Sequence, residues 1–134
     1  MDTVSERVEI EIGAAASGVP LVRHALRGLL SGLDISDDVV ADIALAVTEA
    51  CTNAVVHAYP HGGGAITVTA SHVDGELEVA VRDRGGGMAP RVDTPGLGVG
   101  LPVIAAIARS VEIESPDDGG TEVRMRFALR TAAD

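Results

Sequence analysis

Lysine is absent from the chain, and all 10 basic residues are arginines. P-loop nucleotide sites use a lysine that reaches the β- and γ-phosphates, and ordinary protein kinases use a lysine on a strand. Both kinds of phosphate site are therefore excluded.

Aromatic residues and cysteines are also scarce, since Tyr59, Phe127 and Cys51 are the only ones. The core must therefore consist of Val, Ile, Leu and Ala. A single cysteine has no partner in the chain, which fits a reducing cytoplasm. Its apolar surroundings in a predicted helix indicate a buried small residue and not a nucleophile.

Positive charge is in short supply, because 10 arginines face 20 acidic residues and give a formal net charge of -10. This balance disfavours binding to a nucleic-acid backbone or to an anionic membrane. The N-terminus lacks the basic start and apolar stretch of a signal peptide, and no apolar run approaches about 20 residues. We expect no nucleic-acid partner, no membrane and a cytoplasmic location.

The chain of 134 residues fits one domain, residues 1–134, with a core over about residues 8–129. Hydrophobic periodicity predicts the order β-α-α-β-β-α-β-β, which is typical of an α+β, two-layer α/β sandwich. We expect a mixed, mainly antiparallel sheet with helices on one face. The predicted strands are Val8–Ile12, Ala65–Ser71, Glu76–Asp83, Val111–Ser115 and Thr121–Leu129, and the predicted helices are about Ser17–Leu30, Ser36–Ala58 and Leu101–Arg109.

Two polar residues lie one turn apart on the long second helix. Glu49 and Asn53 are four residues apart, His57 continues their row, and the small Ala46 and Ala50 beside it allow a ligand to approach. A carboxylate, an amide and an imidazole can orient a nucleophile, coordinate Mg²⁺ and contact phosphate oxygens. Taken alone, the row is also typical of a solvated helix face.

Asp83 ends a predicted strand and is followed by Gly85 and Gly87. The carboxylate can accept a hydrogen bond from the exocyclic amine of a purine, and glycines remove the Cβ atoms that would collide with the ring. A lone Asp-x-Gly-x-Gly is more often a simple turn.

Gly96, Gly98 and Gly100 precede the predicted third helix, where exposed amides and the helix dipole favour phosphate. The cluster does not follow a strand and lacks the dinucleotide spacing, so a Rossmann site is rejected. Gly119 to Thr121, at the start of the last strand, is a weaker fourth element.

The order of these four elements is more specific than any one of them. Glu-x-x-x-Asn on a helix, Asp-x-Gly-x-Gly after a strand, Gly-x-Gly-x-Gly before a helix and Gly-Thr at a strand start resemble the Bergerat (GHKL) ATP-binding fold. That fold is shared by gyrase-type topoisomerases, heat-shock chaperones, histidine kinases and mismatch-repair ATPases. Within this superfamily, the segment from Thr48 to Tyr59 is similar to the anti-sigma-factor serine kinases of partner-switching systems.

The resemblance implies a role for each site residue. Glu49 would be the catalytic base for a serine of an anti-anti-sigma factor, and Asn53 would ligate Mg²⁺. Asp83 would contact the adenine amino group, with Thr121 assisting through water. Residues 88–96 would form a short lid over ATP, with Arg91 as its only basic residue. The other implied ATP-binding residues are His57, Gly85, Gly87, Met88, Gly96, Gly98, Val99, Gly100 and Leu101.

The same resemblance implies two protein partners, an anti-anti-sigma factor and a sigma factor, and a homodimer. Arg23 and Arg27 form a small basic patch on the first helix, which is either a partner contact or a solvated face. The short lid favours one alternative, a nucleotide-dependent binding module without kinase activity. A second alternative is the catalytic half of a histidine kinase, although the chain lacks the helical segment with its phospho-accepting histidine.

Overall fold

The structure, a computed structural model, describes residues 4–13, 16–58, 64–84, 97–115 and 119–129. The order of helices and strands is the predicted one. The strands are β1 (Val4–Gly13), β2 (Ala65–Val73), β3 (Glu76–Asp83), β4 (Ser110–Glu114) and β5 (Thr121–Ala128), and the helices are α1 (Val19–Ser31), α2 (Asp37–Asn53) and α3 (Leu97–Ile107). A 3-10 turn, Ala16–Gly18, precedes α1.

The start of α2 follows the sequence prediction. The Ser36 side chain accepts a hydrogen bond from the backbone N–H of Val39 at 3.3 Å. Asp37 and Asp38 lie in the first turn, where carboxylates interact favourably with the helix dipole. The predicted end is wrong in detail, because the helix changes to a π-helical turn, Ala54–Ala58, directly after Asn53.

The predicted start of α3 is also wrong, because the helix begins at Leu97 and not at Leu101. Gly98 and Gly100 predict a loop because glycine has a low helix propensity, and Pro102 fits the first turn of a helix that begins at Leu101. In the structure all three lie inside α3, which packs along α2. Tertiary packing of this apolar helix outweighs local propensity.

The sheet has the order β1-β2-β3-β5-β4, and all pairings between the described strands are antiparallel. The mainly antiparallel sheet that we expected is confirmed, with no parallel pair among the described strands, and the edge position of β1 is confirmed as well. The predicted hairpin turn is present between β2 and β3. Asp74 and Gly75 have φ values of 49° and 76°, as a two-residue hairpin of type I′ requires.

The three helices cover one face of the sheet, with α2 between α1 and α3 and α1 against β1. The two-layer α+β prediction is confirmed. Full burial of each large aliphatic side chain in this interface contributes about 1.5–3 kcal/mol. The largest fully buried side chains include Leu30, Ile43, Val47, Ile66, Leu77, Val79, Ile104 and Met125.

The opposite face of the sheet carries ion pairs within and between strands. Arg126 donates to Glu78 across β5 and β3 at 2.9 Å, and Arg124 lies 2.6 Å from Glu122 and 3.7 Å from Glu114. The hydrogen bond to Glu122 raises the pKa of Arg124 above its usual value. Since these side chains are partly exposed, each pair contributes little to stability, but together they balance the charge of this face.

The segment Asp37–Val56 is long and apolar enough to cross a membrane by length and composition. We expected no apolar run of about this length. In the structure this segment is the central helix of the domain. Ile43, Val47 and Cys51 are at most 1% exposed. The apolar composition of α2 is thus accounted for by its place in the core.

Candidate functional site

Two polar side chains are buried side by side at one end of the sheet. Asp83 is the last residue of β3, Thr121 is the first residue of β5, and the two are directly opposite in the antiparallel pairing. They are 7% and 6% exposed and are the buried polar side chains of the described chain. Asp83 alternates in phase with Val79 and Val81, so its side chain lies on the helix-covered face. A carboxylate and a hydroxyl thus lie next to each other at this end of the core.

Gly120 fixes this pair and was not among the predicted site residues. Its φ of +84° is in the left-handed region, and a Cβ there would collide with the carbonyl oxygen of Asp83 and lie 2.8 Å from Cα of Arg84. Only glycine allows β5 to begin so close to the end of β3. The signal in the sequence was the glycine pair immediately before Thr121.

On α2, Glu49 and Asn53 are both half-buried and lie one turn apart. Asp42 shares their side of the helix, seven residues before Glu49. Asp42 also lines a groove together with Ala106 and Ile107 of α3. The row of Glu49 and Asn53 therefore faces the side on which α3 packs, and it is not a fully solvated face.

The C-terminal end of α2 points toward Asp83 and Thr121. At its other end, Val39 and Ile43 lie beside Phe127, near the end of β5. Because β3 and β5 are antiparallel, that is the end of the sheet away from Asp83. The π-helical turn after Asn53 also contacts β3. Glu49, Asn53 and the buried polar pair are thus at the same end of the domain.

The beginning of α3 lies at this end as well. Its last turn, at Ala106 and Ile107, is beside Asp42, so α3 runs antiparallel to α2. At a rise of 1.5 Å per residue, Glu49 lies about 10 Å farther along α2 than Asp42. The same length of α3, counted back from Ile107, reaches Gly100. The first turn of α3 is therefore level with Glu49.

The remaining predicted residues divide into three groups. The backbones of Gly98, Val99, Gly100 and Leu101 form the first turns of α3, where free amides favour phosphate oxygens. His57 lies in the π-helical turn, so the α-helical spacing that linked it to Glu49 and Asn53 does not extend to it. The predicted residues that fall outside the described residues are Gly85, Gly87, Met88, Gly96 and Arg91.

The donor atoms in this region suit a nucleotide with a hard cation. Mg²⁺ prefers oxygen ligands and takes only one or two of them from the protein when phosphates are present. The amide oxygen of Asn53 fits this chemistry. Within the described ranges, no three His, Cys, Asp or Glu residues form a metal cluster, so a fully protein-enclosed metal site is not seen there.

Cys51 lies between Glu49 and Asn53 in sequence but takes no part in this site. It is fully buried and not in a disulfide, and burial raises the pKa of its thiol from 9.0 to about 12. Such a thiol remains protonated at neutral pH and is a poor nucleophile. The predicted role as a small core residue is confirmed.

The chain matches the family described as "Histidine kinase-like ATPase domain" over residues 12–127. It is 30% identical over 139 aligned residues to an anti-sigma F factor of Clostridium acetobutylicum, with coverage of 94% of this chain and 97% of that protein. It is also 34% identical over 88 residues to the sensor histidine kinase component HK1 of Mycobacterium tuberculosis, with coverage of 52% of each protein.

Solved structures give the same fold. The crystal structure of the RsbU and RsbW domains of Rv1364c from Mycobacterium tuberculosis superposes with a TM-score of 0.73 and 27% identity, over 93% of this chain and 33% of that one. The histidine kinase domain of the blue-light activated kinase EL346 from Erythrobacter litoralis has a TM-score of 0.56 and 20% identity, over 88% of this chain and 62% of that one. The second likeness concerns the fold alone.

The family match over residues 12–127 includes Glu49 and Asn53 on α2 and the buried pair Asp83 and Thr121 at the end of the sheet. The family match covers most of the chain, and the relative from Clostridium acetobutylicum is aligned over nearly its full length. The chain belongs to the family of histidine kinase-like ATPase domains, and so to the ATP-binding domains.

Proposed function

We propose that this protein is an ATP-dependent serine kinase and anti-sigma factor. It phosphorylates a serine of an anti-anti-sigma factor and sequesters a sigma factor in a partner-switching system. The observation that carries this proposal is the convergence of Glu49, Asn53, Asp83 and Thr121 at one end of the domain. The similarity to an anti-sigma F factor over nearly the whole chain supports it.

In this proposal Asp83 accepts a hydrogen bond from the adenine amino group, and Thr121 supports the ring through water. Both side chains have fixed positions, because Asp83 ends β3 and Thr121 begins β5 where these two strands are paired. Gly120 allows the two strand ends to lie close together. A carboxylate accepts hydrogen bonds and donates none, so this position favours a ring edge that presents an amino group over one that presents an oxygen.

The phosphates extend from the adenine toward the first turn of α3, where the amides of Gly98 and Gly100 can donate to them. The amide oxygen of Asn53 would hold Mg²⁺, which would supply charge neutralisation at the phosphoryl oxygens. Glu49 accepts the proton of the serine hydroxyl as that oxygen attacks the γ-phosphorus. The bond between the γ-phosphorus and the bridging oxygen breaks, and ADP leaves.

The experiment is transfer of labelled γ-phosphate from Mg·ATP to small candidate anti-anti-sigma proteins of the same genome. Glu49→Gln keeps the size of the side chain but removes the base, so transfer should fall by about 10²–10⁴-fold with unchanged ATP affinity. Thr52→Ser, on the exposed side of α2, is the matched control. Undiminished transfer by Glu49→Gln would remove Glu49 from the mechanism.

Serine is distinguished from histidine by the stability of the product in acid, because a phosphate ester survives conditions that hydrolyse a phosphoramidate. An acid-stable label on the partner is expected. An acid-labile label on the chain itself would instead identify a histidine kinase.

Partner contacts and a homodimer on the α1 side also belong to the proposal. Arg23 and Arg27 are exposed and lie one turn apart on α1. Reversal of both charges should weaken partner binding and leave ATP affinity intact, and equal partner affinity would remove the patch from the interface. The proposed location is cytoplasmic, in keeping with a sigma factor as the target.

The short lid favours a second candidate, a nucleotide-dependent binding module without kinase activity. Only residues 88–96 are available for it, and Arg91 is the only basic residue among them. A partner that binds more tightly with ATP, but is never phosphorylated over hours, would support this candidate over the kinase.

A further inference from the structure

An apolar groove lies between α2 and α3 at the end of the domain away from Asp83. Its volume is about 420 Å³. The residues that line the groove include Val39, Asp42, Ile43, Ala106, Ile107 and Phe127.

The floor of the groove is apolar. Ile43 and Phe127 are 1% and 2% exposed, and Val39 and Ile107 are half-buried above them. Ala106 forms the rim on α3 and is exposed, so the groove is open along one side. An open, apolar cleft between two helices accommodates side chains from another protein better than it encloses a small molecule.

The charge around the groove is negative. Asp42 is exposed at the rim of the groove, and its carboxylate makes no hydrogen bond or ion pair with any residue that the structure describes. Asp37, Asp38 and Asp42 lie in the first two turns of α2, at this end of the domain, and neither helix contains a basic residue. Arg109, which also lines the groove, donates to Glu76 through its guanidinium group. The charge left for a partner is therefore that of carboxylates.

We propose that this groove binds a basic amphipathic helix of a protein partner. One or two aliphatic side chains of that helix occupy the space above Phe127, and an adjacent Arg or Lys pairs with Asp42. Charge complementarity favours a basic helix, because the carboxylates of α2 would repel an acidic one. The binding site is separate from the ATP site and does not require kinase activity.

The probe is a fluorescein-labelled, capped peptide of about three helical turns, composed of Leu, Ala and Arg with the leucines along one face. Two reference peptides carry Glu in place of every Arg, or Ser in place of every Leu. Binding is measured by fluorescence anisotropy at about 0.15 M salt, where long-range attraction to the acidic protein is screened.

Ala106→Arg tests the groove, and Ala105→Arg is its control. Both alanines are exposed on the same helix, but only Ala106 lines the groove, so the two variants have the same net charge. Arginine is a good helix former, so both should fold, and thermal unfolding verifies it. Ala106→Arg should weaken peptide binding about tenfold, whereas Ala105→Arg should change it less than about twofold.

Saturable binding of the Arg peptide, its loss with either reference peptide and the difference between the two variants are the expected results. The proposal is wrong if the two variants bind alike, if the Glu peptide binds equally well, or if no saturation is reached at about 1 mM. ATP affinity and phosphotransfer, measured on the same variants, should equal those of the wild type. A failure of the kinase proposal would therefore leave this result intact.

Discussion

Substitution of Gly120 by alanine should lower the stability of the protein for two reasons. The first is backbone strain, because φ is +84° and an L-residue in the left-handed region costs about 1–2 kcal/mol. The second is a collision, because the new Cβ overlaps the carbonyl oxygen of Asp83. Relief requires the ends of β3 and β5 to separate, which adds about 1–3 kcal/mol, as overpacking does.

Gly119→Ala is the matched control. Gly119 has a φ of +97°, but nothing lies within 4 Å of a Cβ built there, so this variant carries the strain without the collision. We expect urea unfolding to show a loss of about 1–2 kcal/mol for Gly119→Ala and about 2–5 kcal/mol for Gly120→Ala. Both losses are measurable against the stability of about 5–15 kcal/mol of a typical domain.

The two variants should differ in ATP affinity as well. Displacement of Asp83 by Gly120→Ala should weaken ATP binding about tenfold or more, whereas Gly119→Ala should leave it near the wild-type value. Calorimetric titration with ATP, at a temperature where both variants are folded, measures this. Equal stability and equal ATP affinity of the two variants would refute the argument that close approach at Gly120 positions the adenine site.

Three further predictions concern single residues. Asp83→Asn should weaken ATP binding about 10–100-fold, as nucleotide titrations will show; equal ATP affinity would separate Asp83 from the adenine. Ser36→Ala, which removes the N-cap of α2, should lower the free energy of unfolding by about 1 kcal/mol, whereas Ser31→Ala, at the C-terminal end of α1, should have a smaller effect. Since the thiol of Cys51 has a pKa of about 12 in the folded protein and 9.0 unfolded, stability should fall as pH rises between these values, by about 1.4 kcal/mol per pH unit. Cys51→Ala should lack that slope in denaturant titrations, and an identical slope in both proteins would show that other groups cause it.

Much of the fold could be predicted because local signals agree with the tertiary structure. The Ser36 cap, the turn at Asp74 and Gly75, and the alternation in β3 each have a physical cause that the sequence displays directly. The start of α3 could not be predicted in the same way. Its glycines disfavour a helix, and only the packing against α2, which is far away in sequence, reverses that preference.

The candidate site was predictable where spacing within one element sufficed, as for Glu49 and Asn53. The pairing of Asp83 with Thr121 depends on the register of β3 against β5, which no local pattern determines. Gly120 was missed for the same reason, because its importance lies in a contact with another strand. The purely antiparallel sheet also follows from long-range pairing and not from hydrophobic periodicity.

The π-helical turn Ala54–Ala58 gives the domain a point at which α2 can tolerate change in length. Such a turn is geometrically an α-helix with one residue inserted, and the inserted residue rotates everything that follows it. Upstream of the insertion, Glu49 and Asn53 keep their direction because the core stripe of α2 anchors them. A change in length after Asn53 should therefore leave in place the two residues most important to the proposed chemistry.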